Sequence, residues 1–111
     1  MAFYTSKFKP TPVFMKDFYL QYYTVVITSS VALTDLPVNY LYICNSASAI
    51  TITLPSAVNK DGCVLFFKNV NTGNVTVDGN GSQTIDGQLT QILPQYSSFE
   101  LVAFNGNWFI K

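Results

Sequence analysis

The sequence contains no histidine and no arginine. Without histidine it lacks the commonest general base and the commonest zinc ligand. Its many serines therefore cannot be drawn into the usual Ser–His–Asp triad. Without arginine it lacks the side chain best suited to bidentate contact with phosphates and base edges. Six lysines balance six acidic residues, so the net charge is zero. Such a chain is not expected to bind nucleic acid. Charged residues make up 11% of the sequence, against about 25% in an average globular domain. No run approaches the ~20 apolar residues that span a membrane, and no membrane partner is expected. The segment Met1–Lys7 has no basic stretch followed by an apolar one, so the expectation is synthesis and assembly in a cytoplasm. No Gly-rich phosphate loop follows a strand and opens a helix. No metal and no cofactor is expected.

What the chain does have is apolar and aromatic bulk. Of its 111 residues, 49% are apolar and 15% aromatic. That length fits one domain. So much apolar surface with so few charges needs a dense core, a subunit interface, or both. The chain is therefore expected to work as a homo-oligomer.

Residues 1–21 differ from the rest. They hold Phe3, Tyr4, Phe8, Phe14, Phe18 and Tyr19, together with Pro10 and Pro12. Pro-Thr-Pro forbids a regular helix and favours extended backbone. The aromatic content is too high for ordinary disorder. The expectation is an extended attachment arm over 1–21, with those six aromatics as its anchoring or interface residues.

From residue 22 onward the text is strand and turn. Tyr22–Thr28, Val38–Cys44, Ala49–Leu54, Cys63–Asn69, Asn74–Asp78, Leu89–Leu93, Ser97–Phe104 and Asn107–Lys111 read as strands. Ile50, Ile52 and Leu54 alternate with Thr51 and Thr53, which marks one buried face. Val31–Pro37 reads as a connection, with one helical turn possible over Ser56–Val58. Asn71–Asn74 has hairpin chemistry, and Asn105-Gly106 has it most strongly, as the preferred pair for a type I′ turn. The total is about eight or nine short strands with turn signals roughly every 8 to 12 residues, which predicts an all-β antiparallel sandwich, jelly-roll-like, over residues 22–111.

Few residues suggest chemistry. Asp17, Asp35, Asp61, Asp78, Asp86 and Glu100 are the only carboxylates. Catalytic carboxylates work in pairs about 5 to 9 Å apart, and calcium needs roughly six to eight oxygens. Asp before Gly is ordinary turn chemistry, so turn roles are expected and catalytic residues are not. Cys44 and Cys63 lie in apolar strand patterns and read as free buried thiols. A disulfide between them is the alternative if their strands are neighbours. Tyr40, Tyr42, Tyr96 and Trp108 are candidate stacking platforms for a sugar, with core or interface packing as the competing role. In the final strand, Trp108 and Ile110 share one face and Phe109 takes the other. Apolar residues on both faces predict that both are covered. Tyr96, Trp108 and Phe109 are therefore the candidate interface or receptor contacts.

One ordered series of motifs goes further. It runs Ile50-Thr-Ile-Thr-Leu-Pro-Ser-Ala57, Gly62, Phe67-Lys-Asn69, Gly73-Asn-Val-Thr-Val77, Gln83-Thr-Ile-Asp-Gly87, Gln95-Tyr-Ser-Ser98 and Leu101-Val-Ala-Phe-Asn-Gly-Asn-Trp-Phe-Ile110. The series resembles a β-rich module of tailed-bacteriophage tail-fibre, spike and head-fibre or capsid-decoration proteins. It covers Ala49–Lys111. The resemblance implies a trimeric, non-enzymatic virion part that projects from the particle. Its implied partners are copies of itself, capsid or tail proteins of the same particle, and a host-surface glycan at a fibre tip. The aromatic first segment has no counterpart in that pattern.

Overall fold

Apolar residues recur at every second position through most strand-forming segments, the period that turns one face of a pleated strand inward. The computed structural model describes residues 22–34 and 40–111. Among them are nine strands and no helix: β1 (Tyr23–Ile27), β2 (Val31–Ala32), β3 (Tyr40–Cys44), β4 (Ile50–Thr53), β5 (Val64–Asn69), β6 (Val75–Asp78), β7 (Thr90–Leu93), β8 (Ser98–Phe104) and β9 (Asn107–Ile110). They form two mixed sheets. Sheet A has the order β1-β3-β5-β8-β9, and sheet B the order β2-β4-β6-β7.

The chain alternates between these sheets. Three successive passes, β1–β2, β3–β4 and β5–β6, each give one strand to each sheet. Within sheet A, β1 pairs parallel with β3, and β3 with β5. Within sheet B, β2 pairs parallel with β4, and β4 with β6. The passes thus stack as coils. The remaining pairings are antiparallel: β6 with β7, β5 with β8, and β8 with β9.

The expected all-β, sandwich-like class holds, with strand positions close to those read from the sequence. The antiparallel, jelly-roll-like connectivity needs correction, because the first three coils are parallel. Turn residues specify a local reversal of the chain but not which sheet the next strand joins. The Asn71–Asn74 turn is the clearest case: it carries the chain from β5 in sheet A across to β6 in sheet B, so it is an arch rather than a hairpin. Val31–Ala32 adds a short strand where a connection was expected. Val58–Asn59 is a turn, not a helical turn. Asn105-Gly106 does form the hairpin turn, with φ of 53° and 79°.

Coil stacking sets inner side chains in lines. Val25, Tyr42 and Phe67 are register partners, and the Tyr42 and Phe67 rings stack with centroids 5.2 Å apart. Ile27, Cys44 and Asn69 form a second line. Val31, Ile52 and Val77 form a third, in sheet B. Leu54, Leu65, Ile85, Leu93, Leu101 and Trp108 fill the space between the sheets and are fully buried. Each such side chain contributes about 1.5–3 kcal/mol through burial.

Asn69 is the one buried polar residue among those described. It occupies an inner position because its amide fulfils three backbone needs. Its Nδ2 donates to the carbonyls of Gly73 and Leu93, both at 2.9 Å. Its Oδ1 accepts from the Asn71 N–H at 3.0 Å. The arch is tight as well: a Cβ on Gly73 would lie 2.1 Å from the Ser48 carbonyl oxygen. Only glycine fits that approach.

Asn69→Ala is expected to lower stability in urea by about 2–5 kcal/mol, since it strands two carbonyls and an N–H in the core. A loss below about 1 kcal/mol would show that water replaces the amide.

Candidate functional site

Three of the quoted motifs come together at one end of the coil stack. Trp108 is fully buried, and its Nε1 donates to the Pro55 carbonyl at 3.1 Å. Gln83 reaches the same segment: its Oε1 accepts from the Ala57 N–H at 2.9 Å, and its Nε2 donates to Ser56 Oγ at 3.0 Å. Ile85 bridges Trp108, and the Asp86 N–H donates to the Trp108 carbonyl. Asp86 Oδ1 accepts from the Ile110 N–H at 3.0 Å. Asp86 and Gly87 have φ of 51° and 83°, a tight two-residue turn between Ile85 and Gln88. Leu-Pro-Ser-Ala, Gln-Thr-Ile-Asp-Gly and Asn-Gly-Asn-Trp therefore form one hydrogen-bonded closure. No buried side-chain N or O atom among the described residues lacks a partner.

The sequence-nominated contacts separate here. Trp108 belongs to this closure and is shut off from a receptor or a neighbouring subunit. Tyr42 is buried beside Phe67, and Tyr40 is half-buried against the core. Tyr96 is 68% exposed. Its φ of 66° turns the chain back after β7, where its N–H donates to the Asn69 carbonyl and its own carbonyl accepts from Lys68 Nζ. Phe109 is on the outer face of sheet A, as the two-residue period predicts, with Trp108 on the inner face. Phe3, Tyr4, Phe8, Phe14, Phe18 and Tyr19 lie outside the described residues, as do Asp17 and Asp35.

Phe109 has apolar company. The row Val64–Val102–Phe109 crosses β5, β8 and β9. The Phe104 ring lies 6.4 Å from that of Phe109, and Phe104 is 58% exposed. A second row joins Leu41 to Phe66, and Tyr22 lays its ring 4.5 Å from that of Phe66. The only ion pair among the described residues is also on this face, Lys111 Nζ to Glu100 Oε2 at 3.1 Å. It is exposed and contributes little to stability. Lys68 shares this face, with its Nζ on the Tyr96 carbonyl, and the apolar rows beside these few charges suit contact with another protein surface.

Comparison of the chain with family models, with curated proteins and with solved structures finds no match.

A second feature was not read from the sequence. An open cleft of about 620 Å³ is lined by Val58, Asn59, Asp61, Asn105 and Gly106. Asp61 Oδ1 accepts from the Asn105 N–H at 2.9 Å, across a separation of 44 residues. Asn59 has a φ of 59° and Asn105 of 53°, so both loops are held in left-handed turns. The signal was present as two Asn-bearing turns, but nothing local places residues 59 and 105 side by side. Asp86 and Glu100 serve structure, Asp86 in its turn and Glu100 in its ion pair. Among the described residues, no three metal-ligating side chains converge.

Cys44 and Cys63 are both free thiols. Cys44 is fully buried in the line between Ile27 and Asn69. Burial disfavours its thiolate and raises the pKa from 9.0 to about 11. The folded state therefore holds that proton more tightly than the unfolded chain. Its contribution is complete below pH 9 and is lost as pH climbs toward about 11. Stability should fall across that window, and Cys44→Ala should make the alkaline decline shallower even if it lowers stability at neutral pH. Thiol labelling of the native protein should modify Cys63, which is half-buried, while Cys44 reacts only on unfolding. Equal labelling rates would contradict the closed core around Cys44.

Proposed function

We propose that this chain is a non-enzymatic virion structural protein of a bacteriophage. In this reading it is an oligomeric fibre or capsid-decoration module, anchored to the particle by residues 1–21. One observation carries the reading. Three of the motifs that resemble the phage fibre module join to each other through Trp108–Pro55, Gln83–Ser56/Ala57 and Asp86–Ile110. They build a scaffold end rather than line a reacting centre. A module recognised by its scaffold has its work done by surfaces, and this one offers apolar rows on sheet A for contact with its own copies or with particle proteins. A trimer is the symmetry that the resemblance favours. Assembly by burial and strand pairing needs no cofactor.

The attachment role of residues 1–21 is testable by deletion. The shortened protein should keep its β-sheet circular dichroism and lose incorporation into particles. Truncated protein found on particles at the level of the full chain would sink the anchoring role.

A receptor- or glycan-binding module of a fibre tip is the second reading, and the cleft between Asn59, Asp61 and Asn105 favours it. Amide and carboxylate groups beside an apolar Val58 are the donors and acceptors that sugar hydroxyls require. This reading expects glycan-array binding that Asp61→Ala and Asn59→Ala weaken at least tenfold. An array without signal above background would remove it.

A further inference from the structure

The two ends of the coil stack are unlike. One is closed by β7, the β8–β9 hairpin and the Trp108 network. At the other, burial falls away along two of the three inner lines of register partners, while Ile27, which ends the third, stays buried. In sheet B, Val77 and Ile52 are fully buried, while Val31 in the first coil is 40% exposed. In sheet A, Phe67 and Tyr42 are buried, while Val25 is only partly so. Tyr23, the partner of half-buried Tyr40, is 66% exposed. These first-coil side chains are at the inner-facing positions of their strands, and among the described residues the core is open beside them. The opening is a cavity of about 270 Å³ whose walls include Val25, Ile27, Val31 and Leu33.

Both strands of this coil are sheet edges. Among the described residues, β1 pairs only with β3, and β2 only with β4. Exposed edges in soluble proteins are normally blunted by charge, proline or a bulge. Residues 22–34 contain no charged residue and no proline. Nothing here repels another strand, and nothing selects a partner of opposite charge.

We propose that a second copy of this chain closes this end. Across a two-fold axis, β1 of each copy pairs antiparallel with β1 of the other, and β2 with β2. Both sheets then run on through the interface, and Tyr23, Val25, Val31 and Leu33 of the two copies fill one shared core. The occupant must present two strand edges at the spacing of the two sheets, with apolar side chains between them. The same end of another copy does so by construction, because a two-fold interface matches a surface to itself. This end-to-end pairing is independent of the phage reading and of any lateral contact through the outer face of sheet A.

Sedimentation equilibrium of the full chain at micromolar concentration tests it, together with hydrogen exchange. The expected mass is that of an even number of copies. Val31→Lys, at a position already 40% exposed, should halve that mass. It should speed exchange of β1 and β2 amides at least tenfold and leave β5 and β6 amides slow, which shows the fold intact. Tyr23→Lys should act the same way, and Ile92→Lys, exposed on β7 away from this end, should leave the mass unchanged. A monomer, or an odd-numbered oligomer whose mass Val31→Lys does not alter, would overturn the proposal. A monomer with slowly exchanging β1 amides would assign the closure to residues 1–21 of the same chain instead.

Discussion

Parallel strand pairing constrains everything else in this molecule. A parallel pair cannot be joined by a tight turn, because the chain must first return to the end from which it started. Most proteins make that return through a helix. This chain makes it through a second sheet: each strand of sheet A is followed by a strand of sheet B, and the next pass lies beside the last. Equivalent positions of successive passes then fall next to each other. That is why Tyr42 stacks on Phe67, and why Ile52 meets Val77. It is also why a polar residue, Asn69, can hold an inner position: the arch that follows β5 brings backbone groups within reach of its amide.

A stack of this kind has no natural end. Each pass leaves its inner face and its outer edges to the next one, and repeat architectures must cap the last. The C-terminal cap is built by changing strand direction. β7 and β8 pair antiparallel to the strands before them, and the Asn105-Gly106 turn folds β9 back on β8. Trp108 then covers the core, and the Gln83 amide accepts from the Ala57 N–H and donates to Ser56 Oγ, tying the Pro55–Ala57 segment to the cap. Three motifs of the series are the chemical expression of that cap. A large indole with one donor, a glutamine with a donor and an acceptor, and an Asp-Gly turn are what closing this end requires.

Local features were legible in the sequence to the degree that they are local. The alternation Ile50, Ile52, Leu54 gave the buried face of β4 because period two is a property of the strand alone. Asn105-Gly106 gave its hairpin because positive φ at two successive residues fits few other pairs. Partner choice was not legible. Asn71–Asn74 has the composition of a hairpin turn, yet Gly73 packs on the Ser46–Ser48 backbone and sends the chain to the other sheet. Trp108 illustrates the same limit. Its face was correct by periodicity, but only the assembled core shows that this face is closed, leaving Phe109 and Tyr96 as the accessible aromatics of the three. The Asn59–Asp61–Asn105 cleft joins loops 44 residues apart, beyond any local signal.

The charge pattern bears on how such a body meets its partners. Long-range steering needs clustered charge of one sign, and this chain has balanced charges and a single ion pair among its described residues. Recognition then rests on short-range terms: apolar rows on sheet A, and the strand edges and apolar opening of the first coil. Both are most favourable against surfaces of matching shape and period, which is what the proposed pairing with a second copy would supply. Residues 1–21 are the exception in composition, carrying three of the six lysines beside their aromatics. The division of labour follows from that contrast. On the proposed reading, the β body, with three lysines against five acidic residues, bonds with its own copies, and the lysine- and aromatic-rich segment 1–21 bonds with the particle.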